Sequence, residues 1–302
     1  MFFNRIGQLF TILFFGFMVL CGSVKADETD LVNVQPALWQ VKRGDGTVYL
    51  LGSFHLLPKN YQWFDGIISQ SFNRAQELVM EAKMTPEATA AIQGMVIQNA
   101  FFKPQDNLQN YLDDVHYDKM LKQAKNLMGM DEETARKMKP WFMALQISII
   151  SIMSSGMDPD SGVDRYLEDL ARKSAKTISG LETPEQSMNA LIKHPMSVQA
   201  ALLADTLDKL DDFMSYINNY LEAWASGDGD RMVKTMVEDM AEQPEMYDAM
   251  LVSRNKNWLP AIERYINGGR TIFIVVGAAH LVGQDGIVKM LEARGYRVDK
   301  IQ

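Results

Sequence analysis

Cysteine is nearly absent from this sequence: Cys21 is the only one in 302 residues. That excludes an internal disulfide framework and a Cys-rich zinc site. A basic excess is missing too, with 30 Lys and Arg against 38 Asp and Glu and a net charge of −8. The chain therefore lacks the positive footprint that nucleic-acid binding requires, and no nucleic-acid partner is expected. There is no Gly-x-Ser-x-Gly elbow, no His-Glu-x-x-His helix and no glycine-rich phosphate loop. Gly227-Asp228-Gly229-Asp230 faintly echoes a calcium loop without the remaining ligand spacing. Low-complexity stretches and Pro/Ser-rich linkers are missing, so no internal domain boundary is expected. What is present is ordinary for a folded protein: 47% apolar and 23% charged residues, with length enough for an ample core. The 21 methionines are scattered and read as core packing rather than a binding groove.

The N-terminus has the order of an export signal. Residues 1–5 are short and end in Arg5, residues 6–20 are almost wholly apolar, and Val24-Lys25-Ala26 offers a cleavage site. The apolar run is short for a membrane span of about 20 residues. A lipoprotein reading of Cys21 is disfavoured by the bulky Leu20 before it. The expectation is a signal peptide over 1–26 and a processed chain that is periplasmic or secreted, without stable membrane insertion.

Strands are expected at both ends of the remaining chain and helices between. Residues 38–41 alternate, Arg43-Gly44-Asp45-Gly46 is a turn signal, and 47–51 is an apolar β-prone run, together a hairpin. Residues 78–81, 176–181, 271–276 and 296–301 read as further strands. Helices are expected after Asp65, after Pro86, over 141–153 (apolar on most faces, hence central), over 162–171, as one long helix over 198–225, and over 284–294. The two ends are expected to meet in one sheet, with the helices as a cap or flanking layer: an α/β (α+β) class.

One pattern recurs. Val48-Tyr49-Leu50-Leu51 runs into Gly52-Ser53-Phe54-His55, and Ile274-Val275-Val276 runs into Gly277-Ala278-Ala279-His280. Only four histidines exist, and two share this context; His116 and His194 do not. Binding groups gather beyond the C-terminal ends of strands in α/β folds. Glycine there permits close approach of a ligand or backbone. Glu81 and Glu182 also close strands. Two histidines with one or two glutamates suit either general acid–base chemistry or a His/carboxylate metal site. A pair of structural core histidines is the plainer alternative, and Ser53 is a weaker candidate nucleophile.

These segments, with Val79-Met80-Glu81, Gly162-Val163-Asp164-Arg165-Tyr166-Leu167, Gly180-Leu181-Glu182-Thr183 and Gln186, and Arg254-Asn255-Lys256-Asn257-Trp258 in that order, resemble the TraB/GumN family, which includes the animal Tiki proteins. The resemblance covers about residues 38–298. It implies a single domain over 27–302, with a central mixed sheet from two pseudo-repeated halves and a large helical middle section. It also implies a metal-dependent, peptidase-like hydrolase acting on a peptide or protein substrate. Carried over, His55, Glu81 and His280 would be the metal and catalytic set, and Arg254 a cationic contact for substrate or transition state. Asp164, Glu182 and Asn255 would be accessory. A divalent transition metal (zinc, manganese or cobalt) is implied, with thiolate ligands missing. The alternative is a peptide-binding or sequestering protein of the same fold.

Overall fold

Apolar runs from the two ends of the chain come together in one sheet. The computed structural model describes residues 30–302, and the expected signal segment, 1–26, lies outside the described residues. In chain order the strands are β1 (Val32–Asn33), β2 (Leu38–Arg43), β3 (Gly46–Ser53), β4 (Tyr61–Gln62), β5 (Glu77–Ala82), β6 (Thr177–Glu182), β7 (Thr271–Gly277) and β8 (Val298–Lys300). Six of them form a mixed sheet in the order β6-β5-β7-β3-β2-β8, while β1 and β4 make a separate parallel pair. β2 and β3 are the expected hairpin, Leu38 opposite Leu51, turning through Gly44 at a φ of 57°. β6, β5, β7 and β3 run parallel. β7 lies between β3 and β5 and is buried along Ile272 to Val276, as its unbroken apolar run requires.

Helices cover both faces. Phe72, on the Gly66–Arg74 helix, packs edge-on against Phe273 with ring centroids 5.5 Å apart. Tyr265, on the Ser253–Asn267 helix, bonds Glu77, whose register partner is Ile272. Adjacent strand residues point to opposite faces, so these two helices sandwich the sheet. The Val163–Lys173 helix places Val163, Leu167 and Ala171 in the same apolar core.

A second core lies among the helices between β5 and residue 210. The apolar helix expected over 141–153 is Pro140–Ser154, and it is central to this helical core rather than to the sheet, burying Trp141, Phe142, Met143 and Ile147. Met84, Met120, Met138, Met143 and Met188 are buried in this cluster as packing residues. The single helix expected over 198–225 is two, Met196–Asp208 and Phe213–Ala225. The apolar spacing carries across the break, so periodicity alone could not reveal it. Around the break, Lys209 binds Asp205 and Asp239, and Asp239 also accepts from Tyr220 on the second helix.

Candidate active site

Four parallel strands deliver their C-terminal ends to one edge of the sheet. His55 follows β3, His280 closes a short turn (Ala278–His280) after β7, Glu81 lies near the end of β5, and Glu182 is the last residue of β6. Ser53 pairs with Gly277 and Ala82 with Glu182, so these ends are level. A Cβ on Gly52 would fall 2.9 Å from the Ala278 Cα, so glycine is what lets the two histidine-bearing segments touch.

Arg254 enters from the N-terminal end of the Ser253–Asn267 helix, immediately after a π-type segment, Asp248–Val252. Such wide turns are frequent at functional sites. Its buried guanidinium spans two carboxylates: Nη2 reaches Glu81 Oε2 at 2.5 Å and Glu182 Oε1 at 2.6 Å, and Nε donates to Glu182 at 3.1 Å. Nη1 donates to the Met250 carbonyl and lies 3.2 Å from His280 Nε2. Trp258 completes the mount. Its indole N–H donates to Glu182 Oε2 at 3.0 Å, and its ring lies under the guanidinium carbon at 4.6 Å and beside the His280 ring at 4.5 Å. Cation–π attraction and charge-assisted bonds to two carboxylates hold Arg254 in one orientation.

The next residue, Asn255, sets the chemistry of His280. Its side-chain N–H groups go to the carbonyls of Asp285 (2.7 Å) and His280 (3.3 Å), which turns Oδ1 toward His280 Nδ1 at 2.7 Å. An oxygen can only accept, so Nδ1 carries the proton and Nε2 presents a lone pair. That lone pair faces Arg254 and lies 3.7 Å from Glu81 Oε1. Burial and the neighbouring Arg254 outweigh Glu81 and hold the His280 pKa down to about 4, so the ring is neutral at neutral pH. Burial alone would raise Glu81. Arg254, the two histidines and the Gly277 N–H (2.7 Å to Oε1) overcome that and hold it down to about 2.

His55 is in the opposite state. Its Nδ1 lies 2.9 Å from Asp164 Oδ2, and the Asp164 charge raises its pKa to about 9 against the opposing pull of burial. The ring is an imidazolium at neutral pH, with 54% of its side-chain surface open. Solvent on that open side screens the ion pair, so it adds less stability than the shift alone would imply. Ser53 is buried and donates to Asp164 Oδ1 at 2.9 Å, so its hydroxyl braces Asp164. Asp164 itself is positioned by Gly162, where a Cβ would lie only 2.1 Å from the His55 carbonyl oxygen.

A divalent metal would have to share these donors. Among the described residues no three His, Cys, Asp or Glu side chains gather in a metal-holding group. Both Glu81 oxygens are engaged, Oε2 by Arg254 and Oε1 by Gly277, while His280 Nε2 faces a fixed guanidinium and His55 Nδ1 faces Asp164. As arranged, this donor set does not fit a metal, because a cationic side chain already holds the space that its donors share.

The residues singled out in the sequence thus fall into two groups at one strand edge: Glu81, Glu182, Arg254, Asn255 and His280 in direct contact, and His55 with Asp164 beside them, close enough for His55 to act on the Glu81 charge. Trp258, Gly162 and Ser187, whose hydroxyl lies 3.5 Å from Arg254 Nη2, escaped functional assignment. Trp258 stands four residues after Arg254, one helical turn on, and that spacing was the available signal.

No curated protein matches this sequence significantly. The match to the TraB/PrgY/gumN family runs over residues 37–300, from the start of the hairpin to the last strand, and takes in every residue of the site. The chain belongs to the TraB/PrgY/gumN family.

Proposed function

We propose that this protein is a hydrolase of carbonyl bonds, peptidase-like, working by general acid–base catalysis in the periplasm or after secretion. The observation that carries the reading is the opposed state of the two histidines: neutral His280 with its lone pair inward, and protonated His55 at the open side. Environments that push two like groups apart are how acid and base roles are divided. As Arg254 Nη1 turns from His280 Nε2 toward the substrate oxygen, Nε2 takes a proton from a water whose oxygen attacks the carbonyl carbon. Glu81, 3.7 Å away, stabilises the imidazolium that forms. Arg254 supplies positive charge beside the developing oxyanion, and His55 gives its proton to the leaving nitrogen or oxygen. The products are a carboxylic acid and an amine or alcohol. Glu81, held near 2, is too weak a base to take the proton itself.

A second reading keeps the expected zinc, manganese or cobalt ion. It is favoured by one observation, the Asn255 bond that fixes the His280 Nδ1–H, an arrangement common around metal-bound histidines. It requires Arg254 to withdraw.

The test is cleavage of a mixed peptide library and of small esters by the purified protein, with and without chelator, against Glu81→Gln checked for folding by circular dichroism. Turnover that survives chelation and falls on the order of 10³–10⁴-fold in Glu81→Gln supports the acid–base reading, by the scale of neutralising a triad carboxylate. Loss with chelator and rescue by a divalent ion supports the metal reading. Saturable peptide binding without any turnover would replace both with sequestration.

A further inference from the structure

We infer that the outer edge of β6 is a docking strand for an extended peptide, one of whose acidic side chains enters the groove between β6 and the Ser253–Asn267 helix; this rests on the peptidase-like reading above. β6 is the end strand of the six-stranded sheet, with β5 on its inner side. The helices packed against it, Val163–Lys173 and Ser253–Asn267, belong to the two faces of the sheet. Thr177 and Gly180 are exposed and Ser179, Leu181 and Glu182 partly so.

Natural sheets blunt a free edge with lysine, proline or a bulge. Thr-Ile-Ser-Gly-Leu-Glu has neither lysine nor proline, and its register with β5 runs without a bulge from Thr177 to Gly180. Lys176, the residue immediately before it, is turned inward and bonds the carbonyls of Asn73 and Ala75. Among the described residues the edge therefore lacks these guards, as in sheets that accept an added strand.

Beside it lies a cavity of about 390 Å³, lined by Gly180, Leu181, Arg264, Tyr265 and Arg270 among others. Arg264 and Arg270 are exposed on it, and Arg270 reaches Glu77 while keeping about half its surface open. Two guanidinium groups at the rim favour a carboxylate. Alternate side chains of an added strand point to the face that carries this cavity. At its upper end β6 finishes in Glu182, which is bonded to Arg254 and Trp258. A peptide paired along β6 is thereby led to the strand edge that bears His280 and Glu81.

The experiment uses the wild-type protein and short peptides carrying Asp or Lys at each position, plus a backbone N-methyl scan of the best binder. Binding is read by fluorescence anisotropy and cleavage by mass spectrometry. N-methylation at every second residue should weaken binding about tenfold, the worth of roughly one backbone hydrogen bond, with the intervening residues indifferent. Asp should be preferred at one position, and Arg264→Glu should reverse that preference to Lys. Binding that ignores the N-methyl pattern, or an Asp preference that Arg264→Glu leaves intact, overturns edge docking. Cleavage of small esters without either pattern leaves the hydrolase standing and removes the dock. The alternating pattern without any cleavage does the reverse.

Discussion

Asp164→Asn isolates the charge state of His55 with almost no change of shape. The amide keeps an oxygen for the Ser53 hydroxyl but removes the charge 2.9 Å from His55 Nδ1, the largest cause of its rise to about 9 from 6.5. At pH 8 a group with a pKa near 9 is about 90% protonated, and one near 6.5 about 3%. Solvent screening at the open ring edge trims the contrast, so the expected loss of kcat/KM at pH 8 is about 10- to 30-fold. At pH 6 both proteins keep His55 mostly protonated, and the loss should stay under about twofold. Wild-type activity should hold from about pH 4, below which His280 gains a proton, to about pH 9, where His55 loses one. Stability follows the same linkage. A raised pKa stabilises the fold fully below the unfolded value of 6.5, and the effect is lost as pH rises through about 9. The melting temperature of Asp164→Asn should therefore lie below wild type at pH 6 and approach it above pH 9. The assay is a pH series of kcat/KM on one substrate with thermal melts in the same buffers. An alkaline limb still near 9 in Asp164→Asn, or an equal loss at every pH, would refute the assignment of His55 as the acid.

Two further substitutions probe the supports. Asn255→Leu removes the acceptor for His280 Nδ1–H and the donors for two carbonyls; it should cost roughly 1–3 kcal/mol in thermal unfolding. Its ¹⁵N imidazole spectrum should change from one tautomer to a mixture, and a spectrum still purely Nδ1–H would show that Asn255 does not set it. Gly162→Ala places a methyl group on the His55 carbonyl oxygen, so the two segments must part at a cost of about 1–3 kcal/mol. The alkaline limb should move down as His55 leaves Asp164, and a wild-type pH profile at wild-type stability would refute that contact.

The strands and the site edge were legible because their signals are local. β3, β5 and β7 announce themselves as short apolar runs, and β2 and β6 as short alternating segments, each bounded by turn or helix signals. The doubled Gly-x-x-His pattern marks neighbouring strands whose glycines give room at the site, Gly52 to the Ala278 backbone and Gly277 to the Glu81 and His280 side chains. What the sequence hides is contact between distant residues. Nothing near Arg254 announces that it will be shared by Glu81 and Glu182, 173 and 72 residues away. Nor can local pattern separate two helices with one continuous apolar spacing, or foresee that matched histidines will be driven to opposite charge by an aspartate beside one and burial of the other.

The place of β7 between β3 and β5 has a consequence for the order in which the molecule can come into being. Its two neighbours are made from residues 46–53 and 77–82, whereas β7 is residues 271–277, close to the end of the chain. Until that segment arrives, the centre of the sheet is a gap with an unpaired edge on either side, and His280 is not yet present to meet Asn255. Pairings of such sequence separation close slowly. A chain delivered N-terminus first thus passes through most of its length as an incomplete sheet. The site and the last central strand are completed by the same late event, so an unfinished or shortened chain carries the acidic half of the machinery without the basic half.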